Sequence, residues 1–175
     1  MNRRRLGRDE VRRLYDEHGR ALLGYARALV ADHATAEDVL HQVFVTLLRA
    51  KPPVLDSPRA YLARAVRNAA LNHRRDRGRE VSFDDGRADA ERLFEPWFER
   101  DPGLEDDATA LEAALACLPD EQREVVLLHL WGEMTFAEVA AVVGIPPNTA
   151  ASRYRYALAK LREQLAPRRA VSEAR

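Results

Sequence analysis

Residues Thr135 to Arg162 read TFAEVAAVVGIPPNTAASRYRYALAKLR. Apolar residues recur at helical spacing on both sides of Gly144–Ile145–Pro146, which predicts two short helices around a glycine turn. Thr135 and Glu138 have the spacing of a capping box, and Pro147 suits the first position of the second helix. The helices are expected over about Phe136–Val143 and Pro147–Leu165. This is the layout of a helix-turn-helix, whose second helix lies in the DNA major groove. The second helix carries an apolar stripe of Ala150, Tyr154, Ala157, Leu158, Leu161 and Leu165. Its polar side offers Asn148, Thr149, Ser152, Arg153 and Arg155 as DNA-binding candidates, with Tyr156, Lys160 and Arg162 beyond them. Hydroxyls and free N–H groups at a helix N-terminus suit phosphate, and arginines one or two turns in reach guanine edges or phosphates. A basic amphipathic helix on a bundle surface has the same pattern, so duplex DNA is one of two readings.

Working upstream, helices are expected over about Ala108–Cys117 and Asp120–Trp131, with Asp120 as N-cap and Gly132 as the stop. Cys117 ends a helix and is expected in the core. His129 flanks the apolar run Val125–Leu130 and is expected to be a packed or surface histidine. Residues 79–107 break the helical pattern with two prolines, two glycines and a run of carboxylates, and read as a linker. Phe83, Phe94, Trp97 and Phe98 fall within it and suggest either a packed amphipathic helix or a partner-docking segment. Three further helices are expected before it: Asp9–Ala31; Thr35 to about Ala50, opened by a Thr35–Asp38 capping box; and Pro58 to about Arg77, with Ser57 as N-cap. The fold class is therefore all-α: two small helical domains, 9–79 and 108–166, joined by an acidic linker at 80–107, the C-terminal one containing the helix-turn-helix.

The net charge is zero, yet it is strongly segregated. Residues 1–80 carry 17 Lys/Arg against 10 Asp/Glu, residues 81–112 carry 3 against 11, and residues 113–175 carry 8 against 7. A basic block followed by an acidic one points to nucleic-acid contact, with the acidic part as a separate segment. Within the basic block, Arg64, Arg67, Asn68, Asn72 and Arg75 recur at helical spacing and are read as one face. Arginines there fit a phosphate track, and asparagines bond base edges. A solvated charged face is the alternative.

Catalytic readings find no support. There is no GxxxxGK[ST], GxSxG or HExxH pattern. The five histidines stand apart from carboxylates or cysteines at ligand spacing, and a single cysteine excludes a disulfide framework. No cofactor and no metal are expected. The N-terminus lacks the apolar stretch of a signal peptide, and no run is long enough to span a membrane, so the chain is expected to be soluble and cytoplasmic, without membrane insertion.

The order of parts resembles the bacterial RNA polymerase sigma factors of the extracytoplasmic-function (ECF) type. Ala36–Phe44, AEDVLHQVF, is similar to the family's helix that binds the clamp helices of RNA polymerase. Tyr61–Asn72, YLARAVRNAALN, is similar to the helix that opens and reads the −10 promoter element. Leu118–Val125, LPDEQREV, resembles the start of the family's C-terminal domain, and Thr135–Arg162 its −35 reader. The resemblance implies an alternative sigma factor that binds core RNA polymerase, separates the −10 strands and reads −35 as duplex, and that is not an enzyme. It places Asp38, His41, Gln42 and Phe44 on the polymerase-binding helix, although His41–Gln42 replaces the usual Gln-Glu and Phe44 is apolar enough to be core. Tyr61, Asn72, Pro146 and Ala151 also depart from the family pattern. Lys51–Ser57 corresponds to a loop that captures an unstacked base, and the acidic linker to a segment that threads the polymerase near the RNA path. An anti-sigma factor would cover the basic face or wedge between the domains. Because the chain is neutral overall, free DNA is expected to be bound weakly until the linker is sequestered. A stand-alone helix-turn-helix regulator with an N-terminal sensing or dimerisation domain is the competing expectation.

Overall fold

The computed structural model describes residues 6–30, 32–49, 57–80 and 105–172, with only the backbone for 78–80, 105–107 and 167–172. All regular structure among these residues is helical. Helix α1 spans Arg8–Val30, α2 His33–Arg49 and α3 Pro58–Glu80. After the undescribed stretch come α4 (Glu105–Ala116), α5 (Asp120–Leu130), α6 (Phe136–Val143) and α7 (Pro147–Ser172). Most of the linker, with Phe83, Phe94, Trp97 and Phe98, lies outside the described residues, as do residues 51–56 of the Lys51–Ser57 connection.

In the first helical set α1 packs on both α2 and α3. The apolar stripe of α2 is buried at Val39, Leu40, Val43, Phe44 and Leu47, and meets Leu22, Tyr25 and Ala26 of α1 and Leu62, Val66 and Ala70 of α3. In the second set Leu115, Val125, Val126, Leu128, Val139, Ala150 and Ala157 form the interior. The two sets do not stand apart: α3 packs on α6 and α1 on α5, and the buried residues of both belong to one continuous core.

Local chemistry sets the boundaries. Thr135 accepts from the Glu138 N–H at 3.3 Å while the Glu138 carboxylate accepts from the Thr135 N–H at 2.9 Å, so the expected capping box opens α6. Gly144 closes α6 in the left-handed region at φ 81°, where a Cβ would be strained. Gly132, after α5, is needed for a different reason: a Cβ there would lie 2.5 Å from the Leu128 carbonyl oxygen. Pro146 has no side-chain cap to offer, and its carbonyl instead accepts from the Thr149 and Ala150 N–H groups.

Several expectations are corrected. Helix α2 opens at Asp32, not Thr35: Asp32 accepts from both the Thr35 N–H and hydroxyl, so Thr35 is the third helical residue rather than the cap. That contact holds the Asp32 carboxyl below its ordinary pKa. Asp120 is the first residue of α5, not its cap; Pro119 holds that position without a side-chain bond, and Asp120 pairs with Arg123. Cys117 is exposed, because the buried stripe of α4 runs through Ala110, Ala114, Leu115 and Leu118 and leaves it outside. Leu71 of α3 is an apolar residue left 37% exposed. Helix α7 runs past Pro167 to Ser172 rather than ending near Leu165.

Candidate nucleic-acid interface

Helix α7 is set by its neighbours. His129, at the end of α5, stacks on Phe136 of α6 with ring centroids 4.3 Å apart, and its edge contact with Tyr154 of α7 is at 4.7 Å. The His129 ring also shares a 2.6 Å hydrogen bond with the Met134 carbonyl. It is thus a packed histidine, and it ties together the three helices that aim α7. Buried Ala150, Ala157 and Leu161 fix the roll of α7. That roll leaves Asn148, Arg155 and Tyr156 exposed and Thr149, Ser152 and Arg153 half-buried. The Ser152 hydroxyl donates back to the Asn148 carbonyl at 2.8 Å, and the Arg155 guanidinium lies 5.4 Å from the Tyr156 ring centroid. Arg153 is engaged within its own helical set, by Glu121 of α5 at 2.5 Å.

On α3 the single face expected from spacing is split. Arg64, Asn68, Asn72 and Arg75 are exposed. Arg67 lies about 60° round the helix from Arg64 and turns toward α5. There its Nε donates to Glu124 Oε1 at 2.7 Å and its Nη2 to Oε2 at 3.5 Å. The same Oε1 accepts from the Tyr25 hydroxyl at 2.6 Å. Burial opposes the Arg67 charge, but the hydrogen bond and charge of Glu124 outweigh it and raise the guanidinium pKa. Burial first, then the Glu124 charge, pushes the Tyr25 phenol well above its ordinary value. Arg74, one helical repeat on, approaches Asp120 at 3.8 Å.

A second cluster joins the two sets at the start of α3. Glu138 Oε1 accepts from the Ser57 hydroxyl at 2.6 Å and from Arg59 Nε at 3.3 Å, while its Oε2 accepts from Arg59 Nη2 at 3.0 Å. Those bonds, with the capping contacts, lower the Glu138 pKa to about 2. Sequence reading assigned Glu138 and Ser57 only to caps and singled out no role for Tyr25. It gave Glu124 no role beyond a family motif. The one local signal is that Glu124 precedes the fully apolar Val125–Leu128 on a short helix, where a carboxylate needs a partner.

On α2, Asp38, His41 and Gln42 form an exposed patch. Phe44 is only 6% exposed and packs edge-on against Tyr15 at 5.1 Å, so it supports that helix from the core side. A groove of about 440 Å³ between α2 and α3 brings Gln42 together with Tyr61, Asn72 and His73. Among the described residues no cluster of His, Cys, Asp or Glu is arranged to hold a metal, and no helix is long and apolar enough to cross a membrane.

Two stretches match family models: residues 14–80 match Sigma-70 region 2, and residues 108–161 match Sigma-70, region 4. The chain is 35% identical over 159 residues to the ECF RNA polymerase sigma factor SigL of Mycobacterium tuberculosis, covering 87% of this chain and 86% of that one. It is 32% identical over 150 residues to the RNA polymerase sigma-E factor of Streptomyces avermitilis, covering 85% and 80%. Two solved structures share the fold. The sigma factor RpoE of Bartonella quintana, in complex with the anti-sigma factor NepR, matches with a TM-score of 0.69 at 24% identity, over 89% of this chain and 96% of that one. CnrH, in complex with the cytosolic domain of CnrY, matches at 0.62 and 23%, over 92% and 90%. The chain belongs to the ECF RNA polymerase sigma factors, built from sigma-70 regions 2 and 4. As such it is not an enzyme: it binds RNA polymerase and directs it to promoters. A stand-alone regulator with a sensing domain is thereby excluded.

Proposed function

We propose a division of that work among three helices. Helix α7 reads the −35 element as duplex, with Asn148, Thr149 and the start of the helix on phosphates and Ser152, Arg153 and Arg155 toward base edges. Helix α3 handles the opened −10 strand through Arg64, Arg67, Asn68, Asn72 and Arg75. The exposed Asp38, His41 and Gln42 of α2 dock on core polymerase, with Phe44 bracing them from behind. The observation that carries this reading is the pairing of two basic helices: α7 is aimed by a capped helix-turn-helix, and α3 carries four exposed polar residues along one side. Arginine and asparagine at groove-facing helix positions supply both phosphate neutralisation and bidentate base contact.

The protein is read as acting in the cytoplasm with the polymerase. An anti-sigma factor is a further partner under this reading. The cleft of about 510 Å³ lined by Leu14, His18, Ser57, Arg59, Trp131 and Glu138 lies where a wedge would enter between the helical sets. The test is transcription in vitro with core polymerase, with and without the chain, on fragmented genomic DNA. New transcripts that require the chain, and that disappear with Arg153→Ala or Asn68→Ala, are expected. Failure of the chain to bind core polymerase would overturn the reading.

A further inference from the structure

We propose that Tyr156 is a specificity-determining residue of the −35 reader: its ring packs on the methyl group of one thymine in the duplex, and it holds Arg155 in place for a guanine of the neighbouring base pair. This rests on the reading of α7 as the −35 helix.

The roll of α7 isolates the candidates. At about 100° per residue, buried Ala150, Ala157 and Leu161 share one side of the helix with half-buried Tyr154 and Leu158. Asn148, Ser152, Arg155, Tyr156 and Lys160 fall on the opposite side, within a sector of about 100°. A helix nearly fills a major groove about 12 Å wide, so this sector is the one that meets base edges. Two polar groups in or beside it are already committed. The Ser152 hydroxyl donates to the Asn148 carbonyl at 2.8 Å, and Arg153, at the margin of the sector, is paired with Glu121. Arg155 and Tyr156 make no hydrogen bond or ion pair among the described residues; their one contact is with each other.

The fold makes little use of the Tyr156 ring. At 57% it is the most exposed of the large hydrophobic side chains among the described residues. Tyr154, two positions earlier, is the tyrosine that packs, at 4.7 Å from the His129 ring and 5.5 Å from that of Phe136. The apolar area of Tyr156 is therefore left for a ligand. Among the base edges of the major groove the thymine methyl is the apolar feature, the other groups being donors or acceptors.

The second contact follows from the first. The Arg155 guanidinium carbon lies 5.4 Å from the Tyr156 ring centroid, within cation–π range. The ring narrows the conformations open to Arg155, whose fork suits the O6 and N7 acceptors of guanine. Two adjacent residues thus offer an apolar contact and a bidentate one, which fits a thymine and a guanine on neighbouring base pairs.

The test uses holoenzyme assembled from core polymerase and the full chain. Promoter fragments with a randomised −35 region are selected by binding and sequenced. The selected duplex is rebuilt with deoxyuridine in place of each −35 thymine in turn, which removes the methyl and keeps the base pair. The wild type should lose about fourfold in affinity at one thymine, the value of burying one methyl group. Tyr156→Ser should bind the unmodified duplex more weakly and should no longer distinguish thymine from deoxyuridine there. Tyr156→Phe, which keeps the ring, should keep the distinction. In a fresh selection Tyr156→Ser should lose the thymine preference and weaken the guanine preference at the neighbouring pair. Because Tyr156 is exposed, thermal melts of the three proteins should agree within about 2 °C.

A duplex with no thymine sensitive to loss of its methyl overturns the proposal. So does equal sensitivity in the wild type and Tyr156→Ser. If Tyr156→Phe behaves like Tyr156→Ser, the hydroxyl and not the ring makes the contact, and the methyl assignment falls. An unchanged guanine preference in Tyr156→Ser overturns the holding of Arg155. If wild-type holoenzyme selects no −35 sequence, the underlying reading of α7 falls. If it selects one and the Tyr156 variants select the same one, only this proposal falls.

Discussion

Glu138 is the residue on which the most structure converges, and replacing it with glutamine separates its contributions. Its carboxylate accepts from the Thr135 N–H, the Thr135 hydroxyl, the Ser57 hydroxyl and two nitrogens of Arg59. The side chain is 21% exposed, so these bonds are partly shielded from water. Glutamine keeps the capping box, which accepts either residue, and keeps the shape, but it loses the charge that Arg59 and Ser57 address. The magnitude follows from the lowered pKa of about 2 against an ordinary value of 4.5. At about 1.4 kcal/mol per tenfold that difference sets a ceiling of roughly 3 kcal/mol, and partial exposure trims it to about 2.

The sign is fixed by linkage. A depressed carboxyl contributes stability above its unfolded value, and that contribution is lost as pH falls from about 4.5 through about 2. Glu138→Gln should therefore melt about 4–8 °C below the wild type at pH 7. The gap should fall to less than half by pH 3, because the unfolded wild-type chain then holds its proton. Thermal melts of both proteins at pH 7, 4.5 and 3 measure it. A gap of the same size at pH 7 and pH 3 would refute the reasoning, since it would mean that shape and capping, not charge, account for the residue.

Three further outcomes follow from the packing. Leu62→Ala, at a side chain with no exposure in the first core, should cost about 2–5 kcal/mol by denaturant unfolding; a loss under about 1 kcal/mol would mean that this core is loosely packed. Gly144→Ala should cost about 1 kcal/mol, from its positive φ alone, because nothing stands within 4 Å of the added Cβ. Gly132→Ala should cost more, because its Cβ meets the Leu128 carbonyl at 2.5 Å, and melts that reverse this order would contradict the turn geometry. Tyr25→Phe should cost about 1 kcal/mol and should abolish part of the alkaline instability. The raised phenol stabilises the fold fully below its unfolded value near 10, and that contribution is lost as pH rises through its folded value. An unchanged unfolding profile above pH 10 would show that the hydroxyl is not held by Glu124.

The helices were legible because each rule involved is local. The period of apolar residues placed α1 to α7, and the Thr135–Glu138 spacing named a capping box that the structure contains. Where local signals competed, sequence reading slipped. Asp32–Thr35 and Thr35–Asp38 are overlapping capping frames, and the earlier one is used because Asp32 satisfies both donors of Thr35. The candidate interface was legible as composition but not as geometry. Spacing put Arg67 with Arg64 and Asn68, and only the remote Glu124 of α5, which its guanidinium reaches, sets it apart from them.

The residues that were missed share one property: their partners are remote in sequence. Glu124 is 57 residues from Arg67 and 99 from Tyr25, and Glu138 is 81 from Ser57. No periodicity links such pairs. The charge count had suggested that the acidic linker restrains DNA binding by a neutral chain. The structure offers a more specific source of restraint, because the carboxylates that meet Arg67, Arg74 and Arg153 all lie at the start of α5, between Asp120 and Glu124. That stretch is the one the family resemblance singled out as the opening of the second domain. Its acidic residues meet arginines of α3 and α7, so on the proposed assignment of those two helices to DNA, carboxylates that compete for the same guanidinium groups stand in the fold itself and not only in the segment between the domains.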